Sequence, residues 1–392
     1  MKLVAIDEVR SLPRPPIEEL LEDIGKLLKS GKIEETVEVD EDLKVSLTHY
    51  KFFHALKVLG IKRIPVTINR TDRVEYRLED LGFEEDLENN PLRVCRNISE
   101  LIKSCWPTPL IYLKSLSSDL SQVWAKLEYL NPFSNSIKDR IGWYMLIDAL
   151  ENDSRLTSSR LVYEASSTNT GIALTCISKS LGLKTRIYLP SSVQKCSDLY
   201  LKILGSEVVR VQEQITTQAL ERVKEDSRRD NAVHINQFEN DANFISHLRF
   251  TAKELDIQLK RSGLKPKRIV CSLGTSGHAS AISFYFKNRY HGDLEIVGVQ
   301  PAKGEVIPGM RRVETGMKWI HLVEIDRMVE VDYEEALKGM LKITINEGLP
   351  VGLSSGAVVG SLDKIPPIDG VTILIMPDHF YKYCEVFNST IL

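Results

Sequence analysis

The sequence predicts an α/β protein built on doubly wound, mostly parallel sheets, with a small α+β unit ahead of them. Three observations carry that expectation. From about residue 106 onward, short β-branched runs alternate with helix-length segments: RLVYEA (160–165), TRIYLP (185–190), SEVVRV (206–211), KRIVCSL (267–273), EIVGVQP (295–301) and VTILIMPD (371–378). Near-continuous apolar strands separated by helices indicate parallel sheets covered on both faces. Secondly, the polar segments ASSTNTG, GTSGHA and a Gln-Pro pair each follow one of these strands. Ligands of open α/β sheets bind outside the carboxyl ends of the strands, so these segments should converge on one cleft. Thirdly, residues 1 to about 90 follow a different rhythm, and the acidic stretch Leu78 to Leu92, closing on Asn-Asn-Pro, marks the boundary.

Composition narrows the function classes. A chain of 392 residues exceeds one typical core and points to two or three domains. Its 51 basic and 54 acidic side chains nearly cancel, to a net charge of -3, so no global field recruits nucleic acid or acidic lipid. Any anion must therefore be held by a local site. The longest apolar runs fall far short of the roughly 20 residues of a membrane span. Asp7 and Glu8 stand where a signal peptide needs its apolar core, so a cytoplasmic protein is expected. Six cysteines without CxxC or CxxH spacing argue against a metal site and against a disulfide framework.

Taken in order, PPIEELLEDIGKLLKSGK reads as an acid-first amphipathic helix, and HYKFFHALKVLGIKRIPVTI as a helix ended by Gly60 and then a strand. NPFSNSIKDR (131–140) runs into an apolar helix and places Lys138 in its first turn. There the macrodipole disfavours an ammonium, which suits a nucleophile or base, although a lone helical lysine is more often a solvated surface charge. ASSTNTG (165–171) offers hydroxyls, a carboxamide and backbone N–H groups suited to a carboxylate, or simply a helix cap. SLGTSGHA (272–279), strand to glycine loop to helix, reads as a phosphate cradle or a mere turn. It is neither a Walker loop nor a GxGxxG fingerprint. GLSSGA (352–357) opens a late helix, as a serine cap or a functional segment.

Together, from about Trp106 to Tyr383, WPTPL, KLEYLNPFSNSIKDR, EASSTNTGIAL, INQFEN, GTSGHA and GLSSGA resemble the cysteine synthase and cystathionine β-synthase family of pyridoxal-phosphate enzymes, fold type II. The departures are Phe133-Ser134 before the lysine, Ala165 and Thr168 in a loop usually written with Pro and Gly, and HFYKY after Asp378. The resemblance implies a catalytic region of two α/β subdomains over residues 91–392 behind an extension over residues 1–90. It implies that Lys138 is the covalent attachment point of pyridoxal 5'-phosphate, that Gly274, Thr275, Ser276 and Gly277 hold the cofactor phosphate, that Asn169 contacts the ring hydroxyl and that Ser354 faces the ring nitrogen. Ser166, Ser167, Thr170 and Gln237 would grip the substrate carboxylate, and a homodimer is the default. A neutral serine makes the ring a weaker electron sink than an aspartate would, favouring prompt loss of a β-substituent.

GVQPAKGEVIPGMRRVETGMKWI sets Arg311 and Arg312 just past a strand end, as a phosphate fork or as a solvated basic pair. This segment is similar to that of archaeal O-phosphoserine sulfhydrylases, which implies a phosphate-binding role for Arg311, with Arg312 the second choice, and a reaction of O-phosphoserine with sulfide to give cysteine. O-acetylserine is a further possible donor. A cystathionine β-synthase and a non-catalytic cofactor-binding scaffold are the alternatives. The N-terminal unit faintly resembles the ParB-like fold and its free-serine kinases through PIEEL, THYKFFHALKVLG and IPVTI. It lacks their Asp-Gly-x-His-Arg around His49, which favours a structural or dimer-covering role.

Overall fold

The structure, a computed structural model, describes residues 1–85, 93–213, 215–290 and 294–390. The expected boundary at Asn89-Asn90-Pro91 lies outside the described residues. The strands β1 (Lys2–Ala5), β2 (Lys32–Glu35), β3 (Val37–Val39), β4 (Arg63–Ile68) and β5 (Arg73–Arg77) form two small sheets, β1-β4-β3 and β2-β5. The two helices read from the sequence are present here, as Leu21–Ser30 and Tyr50–Val58.

Two larger sheets follow, built from β6 (Leu110–Tyr112), β7 (Ser121–Leu127), β8 (Leu161–Ala165), β9 (Lys184–Leu189), β10 (Glu207–Arg210), β11 (Val233–His234), β12 (Pro266–Ser272), β13 (Glu295–Pro301), β14 (Arg327–Val331) and β15 (Gly370–Met376). One has the order β10-β9-β8-β11 and is parallel throughout. The other has the order β14-β13-β12-β15-β7-β6 and is parallel except for β6. All six predicted runs are strands. β7 escaped the apolar pattern because its sequence, SQVWAKL, carries a buried Lys126.

The N-terminal sheets do not stand apart from the rest. Ile24, Leu27 and Leu28 share one apolar core with Ile282, Tyr285 and Phe286 of the helix Gly277–Arg289. A Cβ on Gly25 would lie 3.0 Å from Asn288 Oδ1, so a residue with a side chain here would need Asn288 to give way. The buried Lys253 ammonium donates to the carbonyls of Leu59 (2.6 Å) and Phe83 (2.7 Å), spending a charge on the extension's backbone. Among the described residues, no helix is long and apolar enough to cross a membrane, and no cluster of side chains is arranged to hold a metal ion.

A buried charge quartet joins the sheet to the helices beneath the cleft. The Arg140 guanidinium pairs with Glu128 (2.6 Å) and Glu254 (2.5 Å), and Lys126 Nζ also reaches Glu254 (2.5 Å). All four side chains are fully buried. Burial would raise the Glu128 carboxyl, but Arg140 beside it pulls its pKa to about 2. Glu254→Gln would leave two buried cations facing one carboxylate, and breaking such a pair costs about 3–5 kcal/mol. Urea unfolding should show a loss of that size. A change below about 1 kcal/mol would mean the quartet is not stabilised by charge pairing.

Candidate active site

The turns after β8, β12 and β15 meet at one narrow cleft, lined by Lys138, Ser167, Asn169, Gly274, Ser354 and Asp378 among others. Five of these six are residues the sequence singled out. A roomier cavity between the extension and the far side of the helix Lys138–Asn152 is lined by Arg14, His54, Tyr144 and Arg249, and contains none of them.

Lys138 is the first residue of its helix and opens onto the cleft. Burial lowers its pKa to about 8, against the opposing pull of Asp378. The loop before it is held by Asp139, whose carboxylate accepts from the N–H groups of Phe133 (2.7 Å) and Ser134 (2.9 Å) and from the Ser134 hydroxyl. Ser134, one of the departures from the family pattern, is thus part of this brace. HFYKY, another departure, clasps the same loop. Lys382 Nζ donates to Ser134 O (2.5 Å), Tyr381 Oη to Asn135 Oδ1 (2.7 Å), and His379 N to Asn135 O (3.2 Å).

The glycine loop is shaped for close approach. A Cβ on Gly274 would lie 2.7 Å from Gly309 O, and one on Gly277 would lie 2.1 Å from Asn243 Oδ1. Ser276 takes a left-handed turn (φ 70°) directly before the helix Gly277–Arg289, with its hydroxyl buried and unpartnered. Thr275 Oγ1 is held by Asn243 Nδ2 at 3.0 Å. Asn169 Oδ1 and His278 Nε2 are likewise buried without partners. Burial takes His278 to about 3, so it is neutral. Backbone N–H groups at a helix N-terminus, an unpaired hydroxyl and an unpaired carboxamide oxygen fit a phosphate and a ring hydroxyl, while Lys138 supplies the amine. The donor set therefore suits pyridoxal phosphate.

The carboxylate segment divides its work. Ser166 Oγ accepts from Thr168 N (3.0 Å) and Gly171 N (2.9 Å), so it caps the helix Asn169–Ser180, while Ser167 is exposed in the cleft. Thr168 adopts φ 129°, a backbone that favours the glycine usual at this point, and its hydroxyl bonds Ser197 Oγ at 2.7 Å. Thr170 Oγ1 donates to Gln237 Oε1 (2.7 Å), and Gln237 Nε2 donates to Ala165 O (2.8 Å). Both side chains lie buried behind the loop rather than at its surface. Ser354 makes no helix cap. Its hydroxyl lies 3.2 Å from Asp378 Oδ1.

Asp378 is the residue sequence reasoning missed as a site member. Its carboxylate also accepts from Asn169 Nδ2 (2.9 Å) and from the Tyr383 hydroxyl. A Cβ on Gly352 would come within 2.2 Å of its Oδ1, so the glycine makes room for it. The signal was present, because Asp378 directly follows the apolar run that became β15.

The two arginines part company. Arg311 N donates to Leu273 O (2.8 Å), which ties it to the start of the glycine loop. Its guanidinium lies 4.9 Å from the Phe238 ring centroid and donates to Thr315 and Gly316, all neutral oxygens. Burial lowers its pKa to about 10, which leaves it a cation at neutral pH. Arg312 is paired with Glu314 (2.8 Å) and Glu330 (2.6 Å).

Comparison with known proteins gives the family. Residues 102–376 match the family described as Pyridoxal-phosphate dependent enzyme, and the chain belongs to that family. Its relatives are more particular. The chain is 31% identical over 295 residues to cysteine synthase B of Escherichia coli, covering 73% of this chain and 94% of that one. It is 30% identical over 308 residues to the probable cysteine synthase of Bacillus subtilis, covering 74% and 97%. The fold matches an O-acetylserine dependent cystathionine beta-synthase from Helicobacter pylori with a TM-score of 0.64 at 24% identity, over 74% and 98% of the two chains. O-ureido-L-serine synthase gives 0.65 at 21%, over 72% and 92%. The fold type II, pyridoxal-phosphate dependent architecture is thereby shown.

Glu164 offers a pH test of the buried wall behind the cleft. Burial raises its carboxyl to about 8, above the ordinary value of 4.5, despite hydrogen bonds from Gln237. Between those two values the folded protein keeps a proton that the unfolded chain has lost, so wild-type stability falls as pH rises through this window. Glu164→Gln removes the titration. Its stability relative to wild type should improve steadily from about pH 5 to about pH 8 and then level off, read by denaturant unfolding at each pH. A difference independent of pH would refute the buried, protonated carboxyl.

Proposed function

We propose that this enzyme makes L-cysteine from O-phospho-L-serine and sulfide, releasing phosphate. The observation that carries the reading is Arg311, a cation beside the glycine loop whose guanidinium, among the described residues, donates to the neutral oxygens of Thr315 and Gly316. A phosphate dianion could replace those acceptors with charge-assisted bonds. Arg312 is the poorer candidate because two carboxylates already hold it. The cysteine synthase relatives support β-replacement as the reaction type.

Bound pyridoxal phosphate supplies the electron sink that makes the substrate's Cα proton labile. The remaining work falls to the chain. Lys138, the attachment point, has a pKa of about 8, so its amine can accept that proton near neutral pH and hold it at Nζ. Ser167 and the N–H groups opening the helix Asn169–Ser180 receive the substrate carboxylate, with Thr170 and Gln237 bracing the loop from behind. The Cβ–O bond breaks with its electron pair passing to phosphate, which Arg311 stabilises. Hydrosulfide then forms the Cβ–S bond, and the proton held at Lys138 Nζ returns to Cα. The extension enters as a structural cover, since it buries the helix that follows the phosphate loop.

Arg311→Ala should reduce kcat/KM for O-phosphoserine by roughly ten- to hundredfold, the loss of about 1.5–3 kcal/mol expected when a charged hydrogen bond goes. Efficiency with O-acetylserine, a neutral ester, should change much less. Steady-state kinetics with both donors separates this from misfolding, which would depress the two equally. An unchanged preference between donors would remove Arg311 from substrate recognition.

A further inference from the structure

The segments around residues 194–196 and 382–385 meet beside the cleft. The Glu385 carboxylate accepts from Lys195 N (2.9 Å) and Cys196 N (2.7 Å), and Gln194 Nε2 donates to Lys382 O. The first segment opens the helix Cys196–Ile203, which lies between β9 and β10 of the four-stranded sheet. The second follows β15 of the six-stranded sheet and continues the stretch that carries Asp378 and Tyr383. This clamp brings Cys196 and Cys384 onto adjoining segments, because Glu385, the residue after Cys384, accepts from the Cys196 N–H. Cys384 is exposed and Cys196 half-buried.

We propose that Cys196 and Cys384 form a redox pair that closes to a disulfide by exchange with a low-molecular-weight disulfide, linking the two sheets beside the cleft. Hydrogen bonds already hold the two backbones together, so closure asks little further ordering of the chain. The exposed Cys384 attacks as its thiolate. It displaces one thiolate from the small disulfide and forms a mixed disulfide. Cys196 then attacks the Cys384 sulfur, expels the second small thiolate and completes the Sγ–Sγ bond. Two protein thiols are oxidised, one small disulfide is reduced to two thiols, and the two protons lost by the protein pass to those thiols. Cys384 is the exposed thiol of the two, so it meets the small disulfide first. The cross-link would tie the Asp378–Tyr383 wall of the cleft to the four-stranded sheet. Neither cysteine has a part in the reaction proposed above, so this inference stands or falls separately from it.

The full-length, cofactor-loaded protein is equilibrated with excess oxidised glutathione, alkylated in denaturant and digested with trypsin without reduction. The expected product is one linked species joining Cys196–Lys202 to the peptide that begins at Tyr383, with free thiols falling from six to four per chain and returning to six with dithiothreitol. Recovery of all six thiols, of Cys384 as a glutathione adduct beside a free Cys196, or of another pairing such as Cys95 with Cys105 as the main product would overturn the proposal.

Discussion

Lys138 can act only if its helix begins in one place, and the buried charge quartet sets that place. Arg140 lies two residues beyond Lys138 and is locked from both sides, by Glu128 just after β7 and by Glu254 on the helix Lys253–Arg261. Lys126 closes the network from within the sheet. Taking four charges out of water costs several kcal/mol for each, and an apolar core of equal volume would often be as stable. What the network gains is position, because a shifted helix would strand charge in a dry interior. Asp139, between Lys138 and Arg140, extends the constraint to the loop before the lysine.

From that fixed point the proposed reaction has two phosphates handled by different physics. The cofactor's cradle is neutral, made of backbone N–H groups, glycines and hydroxyls at a helix N-terminus, and suits a group that stays bound. The proposed substrate site uses a guanidinium, which suits a group that arrives as an ester and must leave as a dianion. A chain with a net charge of -3 has no diffuse field to do this, so the cation has to be local. Asp378 adds a negative charge 3.2 Å from Ser354, so the serine expected to leave the ring a weak electron sink does not act in a charge-free setting.

The parts legible in the sequence were those with a local signature. Apolar β-branched runs marked the buried strands, and polar segments straight after them marked the cleft, because in parallel sheets both follow from chain direction. The glycine loop was legible for the same reason, and Lys138 from its place in the first turn of an apolar helix. Long-range partnerships were not. Asn243 bracing Thr275, Lys253 holding the extension and Asp378 facing Ser354 each join segments that carry no mutual signal. The serines of ASSTNTG were read as one group, yet Ser166 points into the turn as a cap and Ser167 out to the cleft, a distinction set by one residue of loop geometry. Arg311 and Arg312 were adjacent and equivalent as letters. Glu330, on the neighbouring strand, separates them.

The central claim is the proposal that the substrate is a phosphate ester whose phosphate leaves toward Arg311, beside the glycine loop. The most direct measurement is the ratio of kcat/KM for O-phospho-L-serine to that for O-acetyl-L-serine in the unaltered enzyme, with sulfide saturating. If a desolvated guanidinium distinguishes the dianion by about 1.5–3 kcal/mol, the ratio should be at least about ten. A ratio of one or less would contradict the account, leaving a cysteine synthase whose Arg311 serves the fold instead of the substrate.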